Sequence, residues 1–142
     1  VSFAEIYAYA TNSEIVPSAR LLQALSEDGR VRRDFDALLR NTSQYFLPRV
    51  AAASSGDVST REIDGCKITF RSSRADADQI FVIIKLADHD ARPGSLFICP
   101  EGRPTEKVAL PAPRSGRIQL LFDTDSPILR GLRNIDTEVF LR

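Results

Sequence analysis

The sequence predicts an α+β fold: an N-terminal helical hairpin followed by an antiparallel β-sandwich or half-open barrel of about seven short strands. Three observations carry that expectation. Apolar residues recur every three or four positions as far as Phe46 and every second position after Asp57, so the hydrophobic period changes from helical to strand-like. Residues 79–86, QIFVIIKL, are the densest apolar run, β-branched and aromatic between polar turns, which reads as a strand covered on both faces. Asp64-Gly65 lies between two alternating arms, the signature of a two-residue type I′ hairpin.

Taken in order, residues 2–10 place Phe3, Ile6, Tyr7 and Ala10 at helical spacing, enough for one or two turns with an apolar side. Pro17 and Ser18 open a helix with Ala19, Leu22 and Leu25 on one face, Leu21 widening it and Gly29 as its C-cap. A further helix starts near Val31, because Phe35, Leu38, Leu39, Thr42 and Phe46 repeat at i, i+3, i+4, i+7 and i+11. Arg32, Arg33, Asp36 and Arg40 fall mostly off that face. Pro48 marks its end, and the VAAA run of residues 50–53 has the composition for one more turn. The polar stretch 54–57, SSGD, then separates helical from strand periodicity.

In the β region the arms 58–63 and 66–71 flank Asp64-Gly65. A two-residue loop sets Ile63 opposite Cys66 and Glu62 opposite Lys67, so one face carries Ile63, Cys66, Ile68 and Phe70, and the other an ion pair and Thr60 against Thr69. Strands are expected at 79–86, 95–99 and, more weakly, 105–110, which Pro111 and Pro113 stop from pairing further. Another covers 117–123, with Ile118, Leu120 and Phe122 on one face. Ser126 as N-cap and Pro127 open a short helix to Arg133 that turns Ile128, Leu129 and Leu132 inward, and residues 137–141 close the fold as a strand.

A chain of 142 residues with 43% hydrophobic and 27% charged residues has the size and composition of one globular domain spanning residues 1–142, in which the helical region (residues 1–53) packs on the β region (residues 58–142). Nineteen basic residues balance nineteen acidic ones, so no net field favours nucleic acid or anionic lipid. Apolar runs fall far short of the ~20 residues needed to cross a bilayer, which argues against a membrane protein. VSFAEIYAYATNSE has no cationic segment followed by an apolar one, so a cytoplasmic setting is expected. Cys66 and Cys99 read as two buried thiols, with a bridge between neighbouring strands as the alternative. Three of the nineteen basic residues are Lys, leaving sixteen Arg; with abundant Ala this suggests a GC-rich, bacterial coding sequence.

Little in the chain points to catalysis. His89, the one histidine, lies between Asp88 and Asp90 in a turn and has no cysteine at ligand spacing, so it reads as a solvated histidine and not as a metal ligand or general base. The seven glycines are isolated at turns and form no phosphate-binding loop. The pairs Asp76/Asp78 and Asp123/Asp125 read as turn residues and not as calcium ligands or a glycosidase pair. No cofactor or metal is expected.

The exposed chemistry is cationic and aromatic. Arg30, Arg32, Arg33 and Arg40 crowd the third helical run, interspersed with acidic neighbours, and Arg114 and Arg117 flank Gly116. Phe3, Tyr7 and Tyr9 sit on a short N-terminal segment, where leaving three aromatic rings in water is unfavourable. The expectation is therefore a noncatalytic interaction or regulatory domain. It would bind a protein partner of unknown identity through Phe3, Tyr7, Tyr9, Arg32, Arg33 and Arg40, with homodimerisation as one form of that contact. The competing expectation is a small-ligand-binding β module, or an enzyme, whose loop residues Arg74, Asp76, Asp88, His89, Arg92 and Arg114 converge on one pocket.

Overall fold

A computed structural model describes residues 1–50 and 57–142. Both the extra turn over residues 51–53 and the polar punctuation at 54–56 lie outside the described residues. The fold is α+β, with N-terminal helices followed by two antiparallel four-stranded sheets that do not close into a barrel.

Three helices come first: α1 (Phe3–Thr11), α2 (Ala19–Glu27) and α3 (Gly29–Thr42). Each starts on a side chain that accepts from the free N–H groups of its first turn: Ser2 from Glu5, Ser18 from Leu21, and Asp28 from Arg30 and Val31. Asp28 also closes α2, its own N–H donating to Ala24 O at 2.9 Å, so Gly29 is the first residue of α3 and not a C-cap. The buried seam of α2 is Leu21 and Leu25, while Leu22 faces outward.

The third helix stops earlier than its stripe suggests. Ser43 leaves helical geometry, Gln44 N donates to Leu141 O at 2.8 Å, and the chain becomes strand β1 (Tyr45–Leu47). Phe46 therefore belongs to a strand, its ring stacked 4.9 Å from Phe140 across the β1–β8 pairing. The remaining strands are β2 (Thr60–Ile63), β3 (Cys66–Ser72), β4 (Gln79–Leu86), β5 (Ser95–Pro100), β6 (Glu106–Ala109), β7 (Arg117–Asp123) and β8 (Thr137–Leu141), with helix α4 (Pro127–Arg133) between the last two. Pro127 is at the start of α4 as expected, but the Ser126 side chain makes no capping bond.

One sheet has the order β1-β8-β5-β6 and the other β2-β3-β4-β7. Between them lies a core that includes Leu47, Ile68, Val82, Ile84, Leu96, Ile98, Ile118, Leu132 and Val139. The helices cover the opposite face of the first sheet, where Ile6, Tyr9, Leu21, Leu25, Phe35 and Leu39 enclose Phe97, Cys99 and Phe140. Hence the strands covered on both faces are β5 and β8, every residue of which is buried. Strand β4 has the bounds its sequence suggests, but Ile80, Val82, Ile84 and Leu86 share its inner face, and among the described residues no helix covers the other side. Apolar density marks both strands; which one gains a helical lid depends on tertiary placement.

The Asp64-Gly65 hairpin has the anticipated register, Ile63 opposite Cys66 and Glu62 opposite Lys67, with Glu62 and Lys67 paired at 3.5 Å. Gly65 takes a φ of 86° whereas Asp64 does not enter the positive-φ region, so the turn is not type I′. Cys66 and Cys99 are free and buried, one in each core. Burial holds the Cys66 thiol up at about 12, which makes it a packing residue at neutral pH.

Arg61 was not singled out by pattern. It is on β2 in the same parity as Ile63, opposite Ile68, and points inward at 2% exposure. Its guanidinium donates to the carbonyls of Leu132 (2.7 Å), Thr137 (3.0 Å), Pro48 (3.4 Å) and Asn134. Desolvation lowers its pKa to about 10, so it remains a cation at neutral pH.

Candidate functional site

The α1 sequence FAEIYAYAT divides its large side chains between two faces. Ile6, Tyr9 and Ala10, at i, i+3 and i+4, turn into the core, and Phe3 and Tyr7, one turn apart, turn out. Phe3 is 60% exposed and Tyr7 49%, and their rings lie 6.4 Å apart. Beside Phe3 is a groove of about 760 Å3 between the N-terminal residues, α2 and the start of α3. Phe3, Ile6, Ala24 and Val31 give it apolar lining, and Arg20, Glu27, Arg30 and Asp34 supply charges of both signs. Leu22, on α2, and Val16, before it, are exposed on the same helical layer. Arg20, Arg30 and Asp34 join the candidate site only because α2 and α3 fold back on each other; helical spacing alone gives no such signal.

Tyr9 is a correction to the sequence expectation. At 1% exposure it is packed inside the chain, stacked 5.7 Å from Phe35 and edge-on to Phe97. Burial raises its phenol to about 12, with Cys99 and Glu106 adding to the rise. Lys107 stands 4.7 Å over its ring and donates to the carbonyls of Tyr9 (2.8 Å), Asn12 (2.6 Å) and Ile15 (3.3 Å), which pins the end of α1 to β6. Tyr9 thus holds the helical layer in place and is not presented to a partner.

The three arginines differ in the same way. Arg32 pairs with Asp36 at 3.2 Å and donates to the carbonyls of Arg103 and Pro100, tying α3 to the turn after β5. Arg40 is salt-bridged to buried Glu138 at 2.7 Å and lies over the Phe46 ring. Arg33 is exposed. Beneath Arg32 the Asp36 carboxyl is raised by burial, partly offset by the Arg32 charge and hydrogen bond and reinforced by Glu138. The polar atoms of this seam are directed at one another, so it clamps α3 to β8 and offers no activated nucleophile.

The loop residues of the competing expectation do not converge. Arg74 and Asp76 lie in the connection before β4, and Asp88, His89 and Arg92 in the one after it. An eight-residue strand separates the two by roughly 25 Å. At the second end the His89 ring packs against Gly116, whose φ of 75° and closeness to Leu86 O leave no room for a side chain. Arg114 bridges Arg117, and Arg92 donates to the carbonyls of His89 and Ala91. Arg74 instead borders a separate groove of about 520 Å3 with Arg71, Phe81 and Ile83, on the outer face of the β4 sheet. Among the described residues no three His, Cys, Asp or Glu side chains come together to hold a metal ion. No helix there is long and apolar enough to cross a membrane.

Compared with protein-family models, with curated proteins and with solved structures, the chain matches none.

Proposed function

We propose that this chain is a noncatalytic interaction domain, of the regulatory or adaptor kind, that binds another protein through the outer surface of its helical layer. One observation carries the reading: Phe3 and Tyr7 stand exposed as a ring pair beside a groove of mixed apolar and charged lining, while the other large residues of α1 are buried. Aromatic rings exposed next to a concave surface are the usual anchors of a protein contact. The charges of both signs at the rim suit a partner segment that inserts one apolar side chain and carries mixed charge around it. Arg33 remains available at this layer, whereas Arg32 and Arg40 contribute by fixing α3. Within this reading the setting is bacterial and cytoplasmic, supported by the arginine-rich composition and two buried free thiols.

The test is affinity capture with the native chain and with Phe3→Ser/Tyr7→Ser, followed by titration of each with the purified partner. Tyr9 is left intact because its loss would damage the core. A partner held by the native chain and at least tenfold more weakly by the double variant, with unchanged melting temperature, supports the reading. Equal recovery by both forms sinks it.

A further inference from the structure

The outer face of the β2-β3-β4-β7 sheet carries a concave surface of its own, and among the described residues no helix covers it. Across that face the register sets Arg71, Phe81 and Leu121 in one row and Thr69, Ile83 and Gln119 in the next. Successive rows on one face of a strand are two residues, roughly 7 Å, apart, so Phe81 and Ile83 make a continuous apolar floor. The connection after β3 closes one side of this floor with Ser73 and Arg74, which turns a flat face into the groove of about 520 Å3. A cleft of that size suits a small molecule with one polar head and an apolar body.

The polar lining of the groove is one-sided. Arg71 and Arg74 both reach it, and among the described residues neither guanidinium makes a hydrogen bond or ion pair. The Gln119 amide accepts from Arg117 through its oxygen at 3.4 Å, which leaves its NH2 group to donate. The carboxylates closest in sequence do not answer these donors. Asp76 accepts from Asp78 N at 2.9 Å, and neither of them lines the groove, nor does Asp123 at the end of β7. Arg32, Arg40 and Arg61 are directed at carbonyls or carboxylates of the fold, whereas Arg71 and Arg74 keep their donors unused beside an apolar floor.

What complements such a surface has acceptors and no donors at one end, because a guanidinium donates and never accepts, and an apolar body at the other. We propose that this groove binds a small aromatic carboxylate, its oxyanion held between Arg71 and Arg74 and its ring laid on Phe81 and Ile83. The planar guanidinium fork matches a carboxylate in geometry as well as charge. A flat ring stacks offset on Phe81 at little cost in conformational entropy, where a flexible chain has rotamers to lose. Leu121, exposed beside Phe81, extends the floor, so a body of two fused rings covers more apolar surface than one. A neutral ring leaves the two guanidiniums without an acceptor, and a bare anion leaves the floor in water. The groove and the Phe3/Tyr7 pair lie on opposite layers of the fold, so the inference stands apart from binding at the helical layer.

The test is an NMR titration of the backbone amides of the full chain with naphthoate, with naphthamide as the ring without the charge and acetate as the charge without the ring. Naphthoate is expected to shift the amides of residues 71–75, 81–83 and 119 saturably, and each of the other two to bind about tenfold more weakly. Arg71→Gln and Arg74→Gln, both at exposed positions, are each expected to weaken naphthoate by about three- to tenfold at unchanged melting temperature, and to leave naphthamide unaffected. Decanoate, the same head on a flexible body, is expected to bind more weakly than naphthoate. Five results would each overturn the proposal: no saturable shift at these amides, naphthamide bound as tightly as naphthoate, arginine variants that bind like the native chain, decanoate matching naphthoate, or shifts confined to the groove beside Phe3.

Discussion

Arg61→Met is the perturbation that most directly tests how the sandwich is held at its α4 end. Methionine keeps the apolar stem in place but removes a guanidinium that donates to four carbonyls while almost wholly excluded from solvent. Two of those bonds, to Leu132 and Thr137, are themselves buried. Hydrogen bonds from a charged donor contribute about 2 kcal/mol each, so about 4 kcal/mol is lost gross. The carbonyls of Pro48 and Asn134 are partly buried and can turn to water, so their loss adds little. Relief from desolvating a cation offsets on the order of 1–2 kcal/mol. The expected net effect is a loss of about 2–3 kcal/mol, read as a lower urea midpoint at unchanged slope. Hydrogen exchange should accelerate first at the amides of residues 132–138, because Leu132 and Asn134 are at the C-terminal end of α4, where helix carbonyls lack partners. A variant within about 0.5 kcal/mol of the native chain, or one protected normally at 132–138, would refute the view that these carbonyls depend on Arg61.

Two further outcomes follow from the other polar anchors. Lys107→Met should release the end of α1 from β6, at a loss of about 1–2 kcal/mol, and raise exchange in residues 3–16 while leaving the inter-sheet core protected. Exchange unchanged in that segment would show that apolar packing alone holds α1. Asp36→Asn tests the buried carboxyl. Because burial raises the Asp36 pKa above 3.8, the folded chain keeps a proton that the unfolded chain has already released. Its contribution to stability is complete below 3.8 and is lost as pH rises through the higher folded value. The melting temperature of the variant relative to the native chain should therefore rise between pH 3 and pH 7; a difference that falls over that range contradicts the assignment.

What could be read from the chain was what local chemistry decides. The hairpin at Asp64-Gly65 was legible because a turn residue tolerant of positive φ and the alternation on either side agree within fourteen residues of chain. The end of α3 was not. Phe46 suits a helical stripe as well as a strand, and the choice is made by Phe140, its partner in β8. Likewise QIFVIIKL and SLFICP are both dense in apolar residues, and only the landing place of the helices decides that the second acquires a lid. Arg61 and Lys107 escaped notice because their partners are carbonyls, which every residue carries and no pattern reveals. The division of α1 into Phe3/Tyr7 and Ile6/Tyr9/Ala10 follows from 3.6-residue periodicity, but the groove beside Phe3 needs α2 and α3 folded together.

The cations of this chain explain why its two open surfaces stand out. Arg61 and Lys107 are directed at backbone carbonyls, and Arg32 and Arg40 at carboxylates or carbonyls of a neighbouring layer, so each ties secondary-structure elements together. Among the described residues the large apolar side chains that remain exposed are Phe3, Tyr7, Ile15, Val16 and Leu22 in the helical region and Leu121 on the edge of the outer sheet. These lie on opposite layers of the fold, with the β1-β8-β5-β6 sheet between them.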